Sequence, residues 1–425
     1  MSAHDDDLTT ELNRELHDRV DAMSGSALEL GAVQLRARSI RRRRTATAVV
    51  GAAAAVALIV PTAALATHSG HRIEPAPTNP SLTQTTTTTT ADGRQPAPGV
   101  LDVSDLPTGG APQMDYVYKG TLHVVDGGTE QVNTQYAPYQ LVEMADGARV
   151  WQTTDRGTPY IEIQGADGTF SDPVRSDWGL SVNSAHSIVA WLTPAGQVMI
   201  WEGWSSKPRP LGDPVPGSER HLGPVTGAGQ AAPGRAGPNC HEVGCTVIVN
   251  VPGSTWQPWE VSESGTRKLL DGDYRSIADT SDGGLTIGYS QMTGSGTCSK
   301  LLGGGQFQGF STCKQTLASF SPDGRLILGL PAYPDGAGSN QIAMYDLEGT
   351  RLFDRGATEQ AQATFGAPQW ENDSHLLVPV YQEGQWSLVR VASDGSLEYA
   401  VTPRPGADVT VNPYVLPTGG SVPAA

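Results

Sequence analysis

Basic residues are scarce in this chain: 28 Lys and Arg stand against 44 Asp and Glu, for a formal net charge of −16. Phosphate groups are bound by cations, so this balance excludes nucleic acid as an expected partner. Cysteine is missing from the first 239 residues and appears only as Cys240, Cys245, Cys298 and Cys313. Catalytic signatures are missing as well. There is no G-x-S-x-G elbow, no H-E-x-x-H helix and no phosphate-cradling glycine loop ahead of a basic helix. Gly303-Gly304-Gly305 lies between two cysteines in strand-rich sequence, which does not suit a nucleotide site. Carboxylates are plentiful, but Asp146, Asp282, Asp323 and Asp394 sit in turns where Asp supports the backbone. No catalytic residue, cofactor or metal site is therefore expected, and the chain reads as a non-enzyme.

Charge is also absent from Thr45 to Ala66, a run of 22 mostly Ala, Val, Leu and Ile residues. At 1.5 Å per residue that length crosses a bilayer core of roughly 30 Å, and a helix is the only single-segment solution there. Arg38, Arg41, Arg42, Arg43 and Arg44 abut its start. Positive residues stay on the cytoplasmic side, so the expectation is a single-pass membrane protein with its N-terminus inside. A cleaved secretory signal is the competing reading, since Ala64-Leu65-Ala66 resembles a cleavage site. A 44-residue leader and the long apolar run speak against it. The leader balances eight basic against eight acidic residues, so the whole −16 falls on the exported part. All four cysteines lie there too, as expected for disulfides in an oxidising compartment. Local pairing, Cys240 with Cys245 and Cys298 with Cys313, is expected because each pair brackets a glycine-containing loop. A zinc reading of Cys240 to Cys245 lacks both C-x-x-C spacing and a second cluster.

Five segments follow. Residues 1–44 read as a helical cytoplasmic segment, with Leu8, Leu12, Leu16, Val20 and Met23 on one stripe. Residues 45–66 are the span, in contact with the lipid bilayer. Residues 67–112, rich in Thr, Pro, Gly and Ala, read as a disordered stalk. Residues 113–416 alternate short β-branched or aromatic runs with Gly, Asp and Asn turns, and residues 417–425 read as a frayed tail. Within 113–416 a turn feeding an apolar strand recurs, with strands starting near Val150, Ile188, Thr246, Leu285, Leu326 and Leu376. The interval of roughly 40 residues, stretched by a Gly/Pro-rich insertion at about 213–239, is that of four-stranded propeller blades. Tyr116–Asn133 looks like most of another blade without its first strand, and Asp408–Val415 is a lone strand. Joined, the two ends would close a mainly β, seven-bladed propeller; six or eight blades also fit the spacing.

At these residues the chain resembles the WD40-like or TolB-type β-propellers, whose blades carry a Ser-Pro-Asp-Gly turn: Ser321–Gly324 matches fully and Ser281–Gly283 in part. The Trp-Asp pair of true WD40 repeats is missing. The overall plan resembles actinobacterial-type single-pass membrane proteins with an exported propeller. The turn motif implies a fold and carries no active-site position. Tryptophan supplies the chemical hint, because a large aromatic face stacks on sugars or anchors a protein. Trp201 with Trp204, or Trp256 with Trp259, are candidate ligand contacts, and at least one Trp is expected to line the central pocket. The functional expectation is a membrane-anchored binding or scaffold module for an envelope protein, glycan or small ligand. The alternatives are a transmembrane sensor acting through the cytoplasmic helices, and a propeller hydrolase or lyase.

Overall fold

The computed structural model describes residues 95–419 except 204, 206, 228–239, 241–243, 254–255, 270–273, 294–295, 304–308, 333–338, 359–360 and 407. The expected cytoplasmic segment, its five arginines, the span, the stalk before residue 95 and Trp204 lie outside the described residues. Among the described residues no helix is long and apolar enough to cross a membrane. The chain divides into two units, Met1–Thr85 and Thr86–Ala425, and the second contains every described residue.

That unit is built from seven antiparallel sheets, each a blade. In six of them the strands follow one another outward in sequence order, as a period of four strands per repeat requires. The recurring apolar strands of the sequence are the second strands of blades 2 to 7: Arg149–Asp155, Ile188–Leu192, Cys245–Val251, Thr286–Thr293, Leu326–Pro331 and His375–Gln382. Each is reached through a tight turn. In Ser321–Gly324 the Ser321 Oγ accepts the N–H groups of Arg325 and Leu326, Asp323 Oδ1 also accepts from Arg325, and Gly324 takes φ +72°. Only glycine adopts that φ without strain, so the turn motif follows from backbone geometry.

The seventh sheet, blade 1, joins both ends of the domain. Tyr414–Val415 forms its inner strand, against Tyr116–Tyr118, Thr121–His123 and Thr129–Gln131 from the start. Val117 faces Val415 and Tyr118 faces Tyr414 in register. Closure leaves no open inner edge for another chain to extend. Neighbouring blades pack face to face through six apolar clusters. Blades 4 and 5 are joined differently: the Asn250 side chain accepts from Ile277 N–H and donates to Ile277 C=O, both at 2.9 Å. An amide side chain there substitutes for a strand partner.

Three sequence boundaries are corrected. The stretch 95–112, assigned to the disordered stalk, is packed on the propeller as a strap between the outer strands of blades 6 and 7. It bridges Val100 to Gly356 and Thr108 to Tyr399, and buries Leu101, Val103 and Leu106. Its scarcity of apolar residues misleads, because those three suffice when Arg355 and Arg390 hold the carbonyls of Ala97, Val100, Gly110 and Ala111. The tail likewise begins later than 417, since Pro417 bridges Leu141 and Thr418 is buried. Finally, the insertion at 213–239 contains the inner strand of blade 4, His221–Gly227. Gly223 and Pro224 sit in a bulge between Leu222 and Val225, where a proline needs no ladder partner.

The disulfides follow the local pairing expected. Cys240–Cys245 is buried at the start of the second strand of blade 4, and Cys298–Cys313 ties the third strand of blade 5 to its outer edge.

Candidate functional site

Inner strands of a propeller converge on a central channel. One end of it, where several inner strands begin, opens into a cavity of about 660 Å³. Gln140, Leu180, His221 and Tyr414 all lie at or near such strand starts and line it. Blade 7 contributes through a break: its inner edge is split into Thr364–Phe365 and Gln369–Asn372, and Gly366 lies between. A Cβ at Gly366 would sit 2.6 Å from Asn412 Nδ2, so glycine is what lets Asn412 close in.

Two aromatic rings stand at the mouth. Tyr139 and Trp178 meet edge to face at 4.9 Å and 69°, and are 52% and 38% exposed. Trp178 is held out by a buried side chain of blade 2. Gln152 donates to the Asp177 carbonyl at 2.9 Å and accepts from Gly179 N–H at 3.0 Å, gripping the turn on both sides of the tryptophan. Asp177 N–H donates to the Leu192 carbonyl at 2.8 Å.

Three carboxamides on the lining share one arrangement. The oxygens of Gln140, Asn412 and Gln369 accept the backbone N–H of Leu180 at 3.1 Å, Tyr414 at 3.0 Å and Gly419 at 3.4 Å. An oxygen facing an N–H fixes the amide orientation, so each NH2 group points the other way, with no bond among the described residues. The cationic group is already engaged. Arg220 is 3.3 Å from Asp177 Oδ2 and donates to the carbonyls of Val215 and Gly217. His221 Nε2 lies 3.4 Å from Glu219 Oε1 without the alignment of a hydrogen bond, and its ring sits 4.9 Å from Trp256. Burial pushes the Tyr414 phenol up, so it stays neutral, and its buried hydroxyl has no partner among the described residues.

The tryptophans proposed from sequence fare unevenly. Trp201 is 5% exposed, packed between blades 2 and 3 with its N–H on the Ser205 carbonyl at 2.9 Å. Trp259 packs against the cluster of blades 3 and 4, and Trp256 reaches the site through His221. The tryptophan lining the cavity is Trp178, which sits in a Ser-Asp-Trp-Gly turn between blades. A Trp in a turn, away from any apolar run, was the available signal.

Among the described residues two carboxyls have strongly raised pKa values, and neither lines the cavity. Glu143 is pushed up to about 8 by burial and then by Asp115 beside it, partly offset by Arg149, at the junction of blades 1 and 2. Asp279 is pushed up to about 7 by burial, although it accepts N–H bonds from Phe320 and Thr280 at 2.8 Å. Among the described residues no group of three or more His, Cys, Asp or Glu is placed to hold a metal ion.

These sheets define the class of protein: a seven-bladed, WD40-like β-propeller. No family model and no curated protein matches the chain. Solved structures similar to it include the β-propeller domain of the trilobed protease from Pyrococcus furiosus, at 10% identity over 63% of this chain and 85% of that one, TM-score 0.39. A puromycin hydrolase is similar at 13% identity over 64% of this chain and 48% of its own, TM-score 0.42. YCF48 bound to D1 peptide is similar at 14% identity over 72% and 88%, TM-score 0.41. These likenesses concern the fold alone.

Proposed function

We propose that the chain is a membrane-anchored, extracytoplasmic binding module whose ligand, a component of the cell envelope, enters the channel mouth. The carrying observation is the exposed Tyr139–Trp178 pair, held outward by Gln152 over a cavity of ligand size. A buried residue gripping both sides of an exposed tryptophan makes sense when the ring is used for contact. The arginine cluster and apolar run support the anchor, and two disulfides support an oxidising compartment. A non-enzymatic role is favoured because the carboxyls with raised pKa values, Glu143 and Asp279, lie elsewhere, in blades 2 and 5. The test is capture on isolated cell envelopes. Wild-type protein is expected to sediment with them and the double variant Tyr139→Ala/Trp178→Ala to stay in solution; equal sedimentation of both contradicts the reading.

A further inference from the structure

The lining of the cavity carries its own chemical signature, and it concerns what is bound. Gln140, Gln369 and Asn412 spend their oxygens on backbone N–H groups, so what they offer a ligand is three neutral NH2 donors. Asp177 is taken up by Arg220, while Glu219 keeps an exposed carboxylate at the lining that can accept hydroxyl hydrogens. That same ion pair cancels the cationic charge of the lining, in a chain of net charge −16, so an anionic ligand gains nothing here. Above the donors stand two exposed aromatic faces, Trp178 and Tyr139.

A ligand that fits carries no negative charge, has oxygen acceptors along one edge and presents an apolar face to a ring. A neutral pyranose has all three: axial C–H groups on one face, ring and hydroxyl oxygens on the edge, no charge. Its hydroxyl hydrogens can turn to water at the open mouth. Building on the binding reading above, we infer that the mouth of the channel binds a short neutral glycan, with Trp178 as the stacking platform and the amides of Gln140, Gln369 and Asn412 as donors to ring and hydroxyl oxygens.

The test is isothermal titration of the full-length chain, purified in detergent, against short neutral oligosaccharides of hexoses, pentoses and N-acetylhexosamines, with a library of extended peptides in parallel. Two variants probe the two halves of the site. Trp178→Ala removes the platform at an exposed position, and Asn412→Asp keeps the oxygen that Tyr414 N–H needs while removing the donor. Both are expected to melt with the wild type and to bind the saccharide about tenfold or more weakly. Absence of saccharide binding, or binding equal in wild type and both variants, overturns the inference. If the peptides bind at the mouth and the saccharides do not, the glycan falls while the binding reading stands. If envelope capture is also insensitive to Tyr139→Ala/Trp178→Ala, the binding reading falls with it.

Discussion

Gln152 shows how much one buried side chain decides. It is fully buried in the second strand of blade 2, touches nothing in the cavity, and fixes the turn that exposes Trp178. Replacing it with leucine leaves the Asp177 carbonyl and Gly179 N–H without their partner, at a cost of about 1–3 kcal/mol. Gln152→Leu is therefore expected to lower the urea midpoint modestly and to abolish envelope capture at a temperature where it remains folded; retained capture would show that the turn holds without it. Asp279 acts on stability instead. Its folded carboxyl titrates at about 7, whereas an unfolded aspartate titrates near ~3.9. Between those values the folded state holds a proton that the unfolded state releases, so stability falls as pH rises and the group's contribution is lost above about 7. Asp279→Asn should flatten the dependence of the urea midpoint on pH from roughly 4 to 7.5. An unchanged slope would mean that the burial of this carboxyl is not felt in solution. Neither residue is legible in the sequence. Gln152 lies in an ordinary strand, and the partners of the site, from Tyr139 to Asn412, are brought together only by ring closure.

At the scale of elements, the strap from 95 to 113 is the part composition hides. Val100-Leu101-Asp102-Val103 has the alternation of a strand, but proline and glycine on either side make the stretch read as linker. Its stability comes from contacts that sequence cannot display. Arg390 ion-pairs with Glu371 and Glu398 while donating to the Gly110 and Ala111 carbonyls, and Gln382 donates to Asp102 and accepts from Val103 N–H at 2.8 Å each. A chain starting at 95 should unfold like the full domain. One starting at 114 loses three buried apolar side chains, each about 1.5–3 kcal/mol, and should have a much lower denaturation midpoint. Equal midpoints would show that the strap only lies on the surface. Blade elements, by contrast, are legible apart from the inner strand of blade 4, His221–Gly227, which a Gly/Pro-rich stretch conceals. Their strands follow tight turns at an interval of roughly 40 residues, stretched at the insertion, and the paired cysteines bracket short loops, so local chemistry dictates local structure.

For the whole molecule, closure is what turns seven sheets into one cooperative ring. Tyr414–Val415 pairs with Tyr116–Tyr118, and Tyr414 packs in the cluster between blades 7 and 1. Ending the chain after Pro413 removes that inner strand and exposes the edge of Val117, so the truncated protein is expected to aggregate on heating where the intact one unfolds cooperatively. Reversible, wild-type-like melting would contradict closure as the lock. This closure was legible because a three-strand start and a single-strand end are complementary fragments of one blade. The proposed function requires a propeller held outside a membrane and an N-terminal segment that crosses it. Protease shaving of intact cells, with a different tag at each end, tests that most directly. The C-terminal tag is expected to be removed while the N-terminal tag remains protected in the membrane fraction. A C-terminal tag that survives until the cells are broken, or a free propeller in the medium with a new N-terminus near Thr67, would contradict it.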